Sequence, residues 1–250
     1  MRFLPAQAKW SLAIVLFLSL TPPVRTQDKH LAQAEQLYAQ RPDLSRVRRA
    51  ISLLNEVVKN DPENYEAFRR LAKYYHFLGD HVKDEDEKKD VFEKGIGAGK
   101  RAVALQPHKA DGHFWLAANY GSSAEYRSFL TRWRIVKPMR EELEAAIRID
   151  PRHENGSAYA LLGKLYAEAP GLFGGDLKRG IEYGEKAVEI GPDNSLAKLF
   201  LAESYFRAGR KSEAKRLLEE ILAMSPDKGY EFEFTENQQE ARRLLKEKFK

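Results

Sequence analysis

The chain has 250 residues, of which 43% are hydrophobic and 32% are charged, a composition typical of a soluble globular protein. It contains no cysteine, which excludes disulfides, thiolate metal sites, cysteine nucleophiles and an acylated lipoprotein cysteine. The formal net charge is +5, but residues 1–27 hold three basic residues and no acidic one, so the remainder has 42 − 3 = 39 basic against 37 acidic residues. This near-neutral balance does not favour a nucleic-acid partner.

Residues 1–27 have the layout of a secretory signal peptide. Two basic residues precede an apolar run from Trp10 to Leu20, which a Thr-Pro-Pro sequence ends. The run is too short to span a membrane comfortably, and it predicts export with cleavage near Thr26. An uncleaved N-terminal membrane anchor is the alternative. We therefore expect a periplasmic or secreted chain, with its folded part at 28–250.

The rest of the chain consists of internal repeats. The string L-[A/G]-x-x-Y occurs four times, beginning at Leu71, Leu116, Leu162 and Leu201, and each unit closes with an apolar helix end running into proline. In a helix the leucine, the small residue and the tyrosine share one stripe, and the small residue lets a second helix approach closely. Each unit is therefore predicted to be a helical hairpin.

These units resemble the tetratricopeptide repeat (TPR) family, whose period of about 34 residues fits the unit from Ser195 to Pro226. The resemblance implies an all-α, TPR-type solenoid of about five helical hairpins plus a C-terminal capping helix, opened by a capping box at Thr235. The first unit keeps only the second-helix half of the signature. The predicted units are about 29–62, 65–107, 110–151, 156–192 and 195–226, followed by the capping helix at 235–249.

Three segments exceed the repeat pattern. Residues 80–94 are dense in charge and are predicted to lengthen the connection between two helices and to present a solvated face. Residues 122–137 carry Tyr126, Phe129, Trp133 and Val136 at helical spacing, which indicates core packing or, as the alternative, a stripe that faces a partner. Residues 169–176 form a glycine-rich loop whose last residue, Asp176, is predicted to cap the next helix. This loop lacks the features of a phosphate-binding loop.

A narrower resemblance rests on the stretch APGLFGGDLKRGIEYGEKAVEIGPDN and on FWLAANYG. Both are similar to the T component of TRAP (tripartite ATP-independent periplasmic) transporters, over roughly 60–230. That resemblance implies a non-catalytic protein that associates with a solute-binding partner, holds a ligand within its helices and can form homo-oligomers. The lipid tether of that family is not expected, because cysteine is absent. Through the same repeats, the chain is more loosely similar to the microtubule-dynamics regulator family. A bacterial-type signal peptide is less expected in a member of that family.

No motif indicates an active site. The six histidines lack metal-ligand spacing, and no G-x-S-x-G sequence accompanies the serines. We therefore expect no enzyme activity, no catalytic residue, no metal and no cofactor. What remains is binding by the concave face of the solenoid.

The TPR register assigns eight of the candidate residues to that face: Arg69, Lys73, His76, Phe77, Phe114, Lys164, Phe206 and Arg207. Aromatic residues with a few cations suit an amphipathic carboxylate ligand, and a peptide-binding face has a similar composition. The predicted function is an exported TPR binding protein, associated with a TRAP-type transporter and holding a small amphipathic or organic-acid ligand. The alternative is a protein–protein interaction scaffold in cell-envelope assembly or secretion. Membrane contact is expected only through an uncleaved N-terminal segment.

Overall fold

A computed structural model describes residues 26–226 and 229–249, so the predicted signal peptide lies outside the described residues except for its last two positions. The helices are α1 (Thr26–Tyr38), α2 (Leu44–Asn60), α3 (Tyr65–His81), α4 (Glu85–Leu105), α5 (Ala110–Ser123), α6 (Phe129–Arg134), α7 (Val136–Ile149), α8 (Ser157–Glu168), α9 (Leu177–Ile190), α10 (Ser195–Arg207), α11 (Lys211–Ala223) and α12 (Glu231–Lys248). The predicted all-α solenoid of helical hairpins is confirmed.

The helices pack in antiparallel pairs: α1 with α2, α3 with α4, α5 with α7, α8 with α9, and α10 with α11. The third pair holds an insertion made of a 3-10 turn at Ala124–Tyr126 and of α6. The first pair is a complete hairpin, although its first helix lacks the repeat signature. The first helices also pack against one another at three of the four steps between neighbouring pairs: α1 with α3, α3 with α5, and α8 with α10. This stacking places the first helices along one shared face.

Short polar side chains fix where several helices begin. Asn64 and Asn194 precede α3 and α10, and each accepts a hydrogen bond from a backbone N–H in the first turn, at 3.0 Å. Asp176 accepts one from the Arg179 N–H at 3.1 Å, which confirms its predicted cap. The predicted capping box at Thr235 is wrong, because α12 begins at Glu231 and the Thr235 hydroxyl donates to the carbonyl of that residue at 2.8 Å.

The interior follows the repeat signature at its leucines but only at two of its four tyrosines. The signature leucines are buried, and so are Tyr166 and Tyr205. Tyr75 and Tyr120 are only half-buried. In the unit of Tyr75, the neighbouring Tyr74 takes the interior place and stacks on Tyr38 with ring centroids 3.8 Å apart. The signature tyrosine of that unit therefore faces the edge of the helix pair, where it bonds to a polar side chain of α2.

The segment 80–94 has the predicted solvated face, but it does not lie between helices as an insertion. It forms the end of α3 and the first half of α4, and only its outer face is exposed. Phe92 is 1% exposed, and its ring fills the space beside Gly79, where an added Cβ would lie 2.5 Å from the ring. The charged residues thus extend a helix whose inner face belongs to the core.

The segment 122–137 contributes to the core, while the alternative of a stripe that faces a partner stays a prediction. Val136 is buried at the start of α7, as expected for core packing. Trp133 is half-buried and stacks on Phe173 of the glycine-rich loop, with ring centroids 5.7 Å apart. The predicted role of the Phe129 side chain lies outside the described part of the structure.

Candidate functional site

A cavity of about 630 Å³ opens on the shared face of the first helices, and we call it the central cavity. Residues from α1, α3, α5, α8, α10 and α12 line it. Four of the eight predicted residues belong to this lining: Lys73, His76, Phe77 and Phe114. Its aromatic walls also include Tyr38 of α1 and Trp115 of α5. The cavity volume lies within the usual range of ligand and peptide pockets.

The first turns of α12 close one side of the central cavity. The Arg41 guanidinium, from the turn between α1 and α2, donates to both carboxylate oxygens of Glu233, at 2.7 and 2.6 Å. The Phe232 ring lies 5.8 Å from that of Phe77 on α3. At the other end of the array, the Asn237 amide donates to the Ser195 hydroxyl at 2.9 Å. The last helix therefore bridges the first and last hairpins instead of only capping the last one.

The Lys73 ammonium is held inside the cavity by an anion and two rings. It lies 3.5 Å from a carboxylate oxygen of Glu154, 5.0 Å from the centroid of Trp115 and 5.9 Å from that of Tyr38. A cation above an aromatic face gains electrostatic stabilisation. The Glu154 carboxylate thus already gives Lys73 the anionic partner that a ligand carboxylate would otherwise supply.

A strained turn directs Glu154 into the cavity. Glu154 and Asn155 have φ angles of 45° and 54°, in the left-handed region that side chains rarely adopt, and Gly156 follows with φ 79°. The Glu154 side chain is 14% exposed and accepts a hydrogen bond from the Tyr230 hydroxyl. Burial alone would raise the pKa of Glu154, but the Lys73 ammonium and this hydroxyl hold it below its ordinary value. The carboxylate is therefore ionised near neutral pH.

The other predicted cations lie away from the central cavity. Arg69 pairs with Glu66 at 2.6 Å and with Asp111 at 3.5 Å. The Lys164 ammonium lies 4.1 Å from the centroid of Phe200 and 3.9 Å from a carboxylate oxygen of Glu168. These two cations also have carboxylate partners within the protein.

The last two predicted residues, Phe206 and Arg207, line a second, smaller cavity of about 300 Å³ between α10 and the end of α12. The structure thus divides the eight predicted residues between the central cavity, this second cavity and two surface ion-pair clusters.

The central cavity is strongly acidic. Among the described residues that line it, seven carry carboxylates and two carry permanent positive charges. The carboxylates belong to Glu35, Asp80, Glu154, Asp193, Glu231, Glu233 and Glu236, and the cations to Arg41 and Lys73. Two histidines, His76 and His81, add charge only when protonated.

Sequence reasoning missed three contributors to this cavity: Arg41, Trp115 and Glu154. Asn155-Gly156 is the one local signal, since that dipeptide favours left-handed backbone. In the described part of the chain, no group of histidine and acidic side chains is arranged to hold a metal ion. No described helix is both long and apolar enough to cross a membrane.

Residues 30–172, more than half of the chain, match the family model of regulator of microtubule dynamics proteins 1–3, and residues 174–230 match a tetratricopeptide repeat model. The chain therefore belongs to the regulator of microtubule dynamics family and is a TPR protein. It is 26% identical over 165 residues to regulator of microtubule dynamics protein 3 of Rattus norvegicus. That match covers 60% of this chain and 35% of the rat protein, so the chain spans about a third of its curated relative.

Solved structures share the fold. TTC0263, a TPR protein of Thermus thermophilus, is 21% identical with a TM-score of 0.64, over 87% of this chain and 100% of that one. PilW, described as a type IV pilus biogenesis factor, is 17% identical with a TM-score of 0.58, over 90% of this chain and 94% of PilW. At these identities the likeness establishes the TPR fold, which is typical of protein-interaction scaffolds. The resemblance to the TRAP component stays an expectation from the sequence.

Proposed function

We propose that this member of the regulator of microtubule dynamics family is a non-catalytic scaffold that binds a positively charged segment of a partner protein in its central cavity. The observation that carries the proposal is the charge of the cavity, where seven carboxylates face two permanent cations. Glu233 and Glu154 pair with these cations and Glu35 lies 3.5 Å from Arg70, so the remaining carboxylates leave an excess of negative charge. Such an excess attracts cationic groups and repels anionic ones. TPR arrays use this face for binding, and the family and fold comparisons support a protein-interaction role.

The walls of the cavity suit lysine and arginine side chains. Such side chains bury an aliphatic stem against apolar surface and keep a charged head at a polar group. Phe114 and Trp115 offer the apolar surface, with ring centroids 4.9 Å apart in an edge-to-face arrangement. Asp80 in the last turn of α3 and Asp193 just before α10 both line the cavity, and their carboxylates offer acceptors for charge-assisted hydrogen bonds.

An organic-acid ligand fits this cavity less well. The two permanent cations of the lining, Arg41 and Lys73, are engaged by Glu233 and Glu154. An incoming carboxylate would displace one of these partners and add a further negative charge to an acidic site. The TRAP-type association rests on two short stretches, the glycine-rich loop with the helix after it and FWLAANYG, whereas the family match covers more than half of the chain, so the proposal follows the family.

The name of the rat relative refers to microtubule dynamics. Because this chain spans about a third of that protein, we carry over only the binding function that the shared repeats support. We also propose that residues 1–27 direct export, so the partner is a protein that lies outside the cytosol.

The proposal is tested by titrating two labelled peptides of equal length and equal aromatic content, one rich in lysine and arginine and one rich in glutamate. Fluorescence anisotropy at low salt is expected to show binding of the basic peptide alone. Replacing Asp80→Asn together with Asp193→Asn is expected to weaken binding at least about fivefold, or ~1 kcal/mol, since it removes two negative charges that would attract a bound cation. Comparable binding of the glutamate-rich peptide would contradict the proposal.

The matched control replaces two exposed carboxylates on outer helices, Glu182→Gln with Glu219→Gln, whose side chains are 59% and 57% exposed. The same charge is removed, so an equal loss of affinity would show that net charge and not the cavity recognises the peptide. Native mass spectrometry of the purified chain supplies a second check. A small organic acid retained in that spectrum would favour the small-ligand function that the sequence predicts.

A further inference from the structure

An apolar tip projects from the glycine-rich loop between α8 and α9. Leu172 is 89% exposed, the largest exposure among the large hydrophobic side chains that the structure describes. Its neighbour Phe173 stacks on Trp133 of α6 with an interplanar angle of 18°. Three large apolar side chains of two separate segments therefore meet at one corner of the solenoid, and we call them the loop-tip patch.

Basic residues surround the loop-tip patch. Residues 126–140 contain five arginines and lysines and no acidic residue, and of these five cations Arg127 pairs with Glu93 on α4. Arg134 is exposed and Lys137 is 76% exposed, and across the loop Lys178 is 88% exposed. Arg140 reaches the loop itself, since its Nη1 atom lies 3.2 Å from the position that a Cβ on Gly174 would take.

Few acidic side chains offset this charge. Glu141 and Glu182 lie 3.8 and 3.9 Å from Lys137 and Lys178, at distances and exposures typical of weak surface pairs. Asp176 uses one carboxylate oxygen to cap α9. The corner therefore keeps a positive field around an apolar tip.

The shape of the patch decides what kind of partner fits it. Protein partners anchor on apolar side chains that enter pockets or on flat apolar areas with a buried centre. Leu172 instead stands out from a narrow loop with glycine on both sides, at Gly171 and Gly174, so little protein surface surrounds it. A bilayer interface accepts such a convex tip, because its headgroup region is deformable and its acyl boundary takes apolar side chains to a depth of about 5–10 Å.

We propose that the loop-tip patch docks the protein on a membrane surface that contains anionic phospholipids, with Leu172 and Phe173 entering the interface. Tryptophan is favoured at that depth, where Trp133 would lie. The flanking arginines and lysines attract the anionic headgroups, each contributing about a factor of five in affinity near the surface. This site is separate from the central cavity, and its membrane contact does not depend on residues 1–27.

The absence of cysteine permits a local test. An environment-sensitive fluorophore is attached to Leu172→Cys in the full chain, and the protein is mixed with phosphatidylcholine vesicles with or without phosphatidylglycerol. We expect a blue shift and brighter emission only with phosphatidylglycerol, reversed by high salt. The same label on Ile149→Cys, an exposed apolar position at the end of α7, is expected to show neither change. The readout is local, so vesicle binding through the N-terminal segment does not imitate it.

A second variant tests the electrostatic part. Replacing Arg134→Ala with Lys137→Ala in the labelled chain is expected to raise the half-saturating lipid concentration roughly 25-fold, from two surface charges. The control Lys215→Ala with Arg216→Ala, two exposed cations on α11, should leave that concentration unchanged. Unshifted emission at position 172 with phosphatidylglycerol vesicles would overturn the proposal. So would an equal shift at position 149, or equal weakening by the control pair.

Discussion

Arg41 and Glu233 are 192 residues apart in the sequence, yet they form a bidentate ion pair, in which Nε and Nη2 of Arg41 lie 2.7 and 2.6 Å from the two carboxylate oxygens of Glu233. Arg41 also donates to the Gly229 carbonyl at 2.6 Å. Its side chain is 11% exposed, so water screens the pair weakly. A linear solenoid joins only neighbouring repeats, whereas this contact ties the first hairpin to the last helix.

Replacing Arg41→Ala is expected to lower the free energy of unfolding by about 2 kcal/mol, because it leaves a partly buried carboxylate without its charged donor. Urea denaturation measures the effect. The control is Arg243→Ala on the outer side of the same helix, which removes exposed pairs with Glu240 and Glu247. That change should cost less than about 1 kcal/mol. Equal costs for the two variants would show that the long-range pair does not hold α12 in place.

Two histidines make the stability depend on pH. In both His81 and His113 each ring nitrogen faces an acceptor, one a backbone carbonyl and one a carboxylate, so only the protonated ring donates both bonds. The Glu142 carboxylate and the Pro107 carbonyl raise the pKa of His113 against burial and Arg148. Burial lowers the pKa of His81, but the Glu236 carboxylate and the Phe77 carbonyl outweigh it, and the net shift is upward.

A raised folded-state pKa means that the stabilisation is complete below the ordinary histidine pKa of about 6.5 and is lost as pH rises through the raised value. His113→Gln is therefore expected to destabilise the protein more at pH about 6 than at pH about 9. Glu142→Gln, which removes the partner, should show the same trend. Urea denaturation of the three chains at both pH values checks the sign. A larger effect at the alkaline value would contradict the assignment of His113 as the charged donor.

Close backbone contact between α8 and α9 requires glycine. A Cβ added at Gly163 would lie 2.8 Å from the Gly180 carbonyl oxygen and 3.0 Å from the Gly184 nitrogen, and both are backbone atoms that cannot move aside alone. Gly163→Ala is expected to cost about 1–3 kcal/mol in thermal or urea unfolding. The control is Gly97→Ala in α4, where nothing lies within 4 Å, and this change should stabilise by roughly 0.5–1 kcal/mol. Changes of the same sign at both positions would contradict the proposed packing.

The N-terminal segment makes a separate prediction. If residues 1–27 direct export and are removed, intact-mass analysis of protein from the cell envelope or medium should give a chain that starts close to Gln27. A full-length species in the cytosol would contradict export. A full-length species in the membrane fraction would instead identify the uncleaved anchor.

The hairpins were predictable from sequence because each depends on local spacing. Leu162 and Gly163 on the first helix mark where a second helix can pack closely. Gly180 on that second helix has no side chain, which allows the close approach. The closure of the central cavity was not predictable, since Arg41 and Glu233 carry no pattern that relates them. The acidic character of the central cavity could not be predicted from the sequence for the same reason. It arises from carboxylates on separate helices and in turns, which only the tertiary structure brings together.

The binding of a basic segment in the central cavity is tested most directly by the indole N–H signals of the tryptophans in an NMR titration with the lysine- and arginine-rich peptide. The chain has three tryptophans, of which Trp115 lines the cavity and Trp133 lies in the loop-tip patch. Substitution of each by phenylalanine assigns the signals. The proposed function predicts a saturable shift of the Trp115 signal with the Trp133 signal unchanged. An unchanged Trp115 signal at peptide saturation would contradict it.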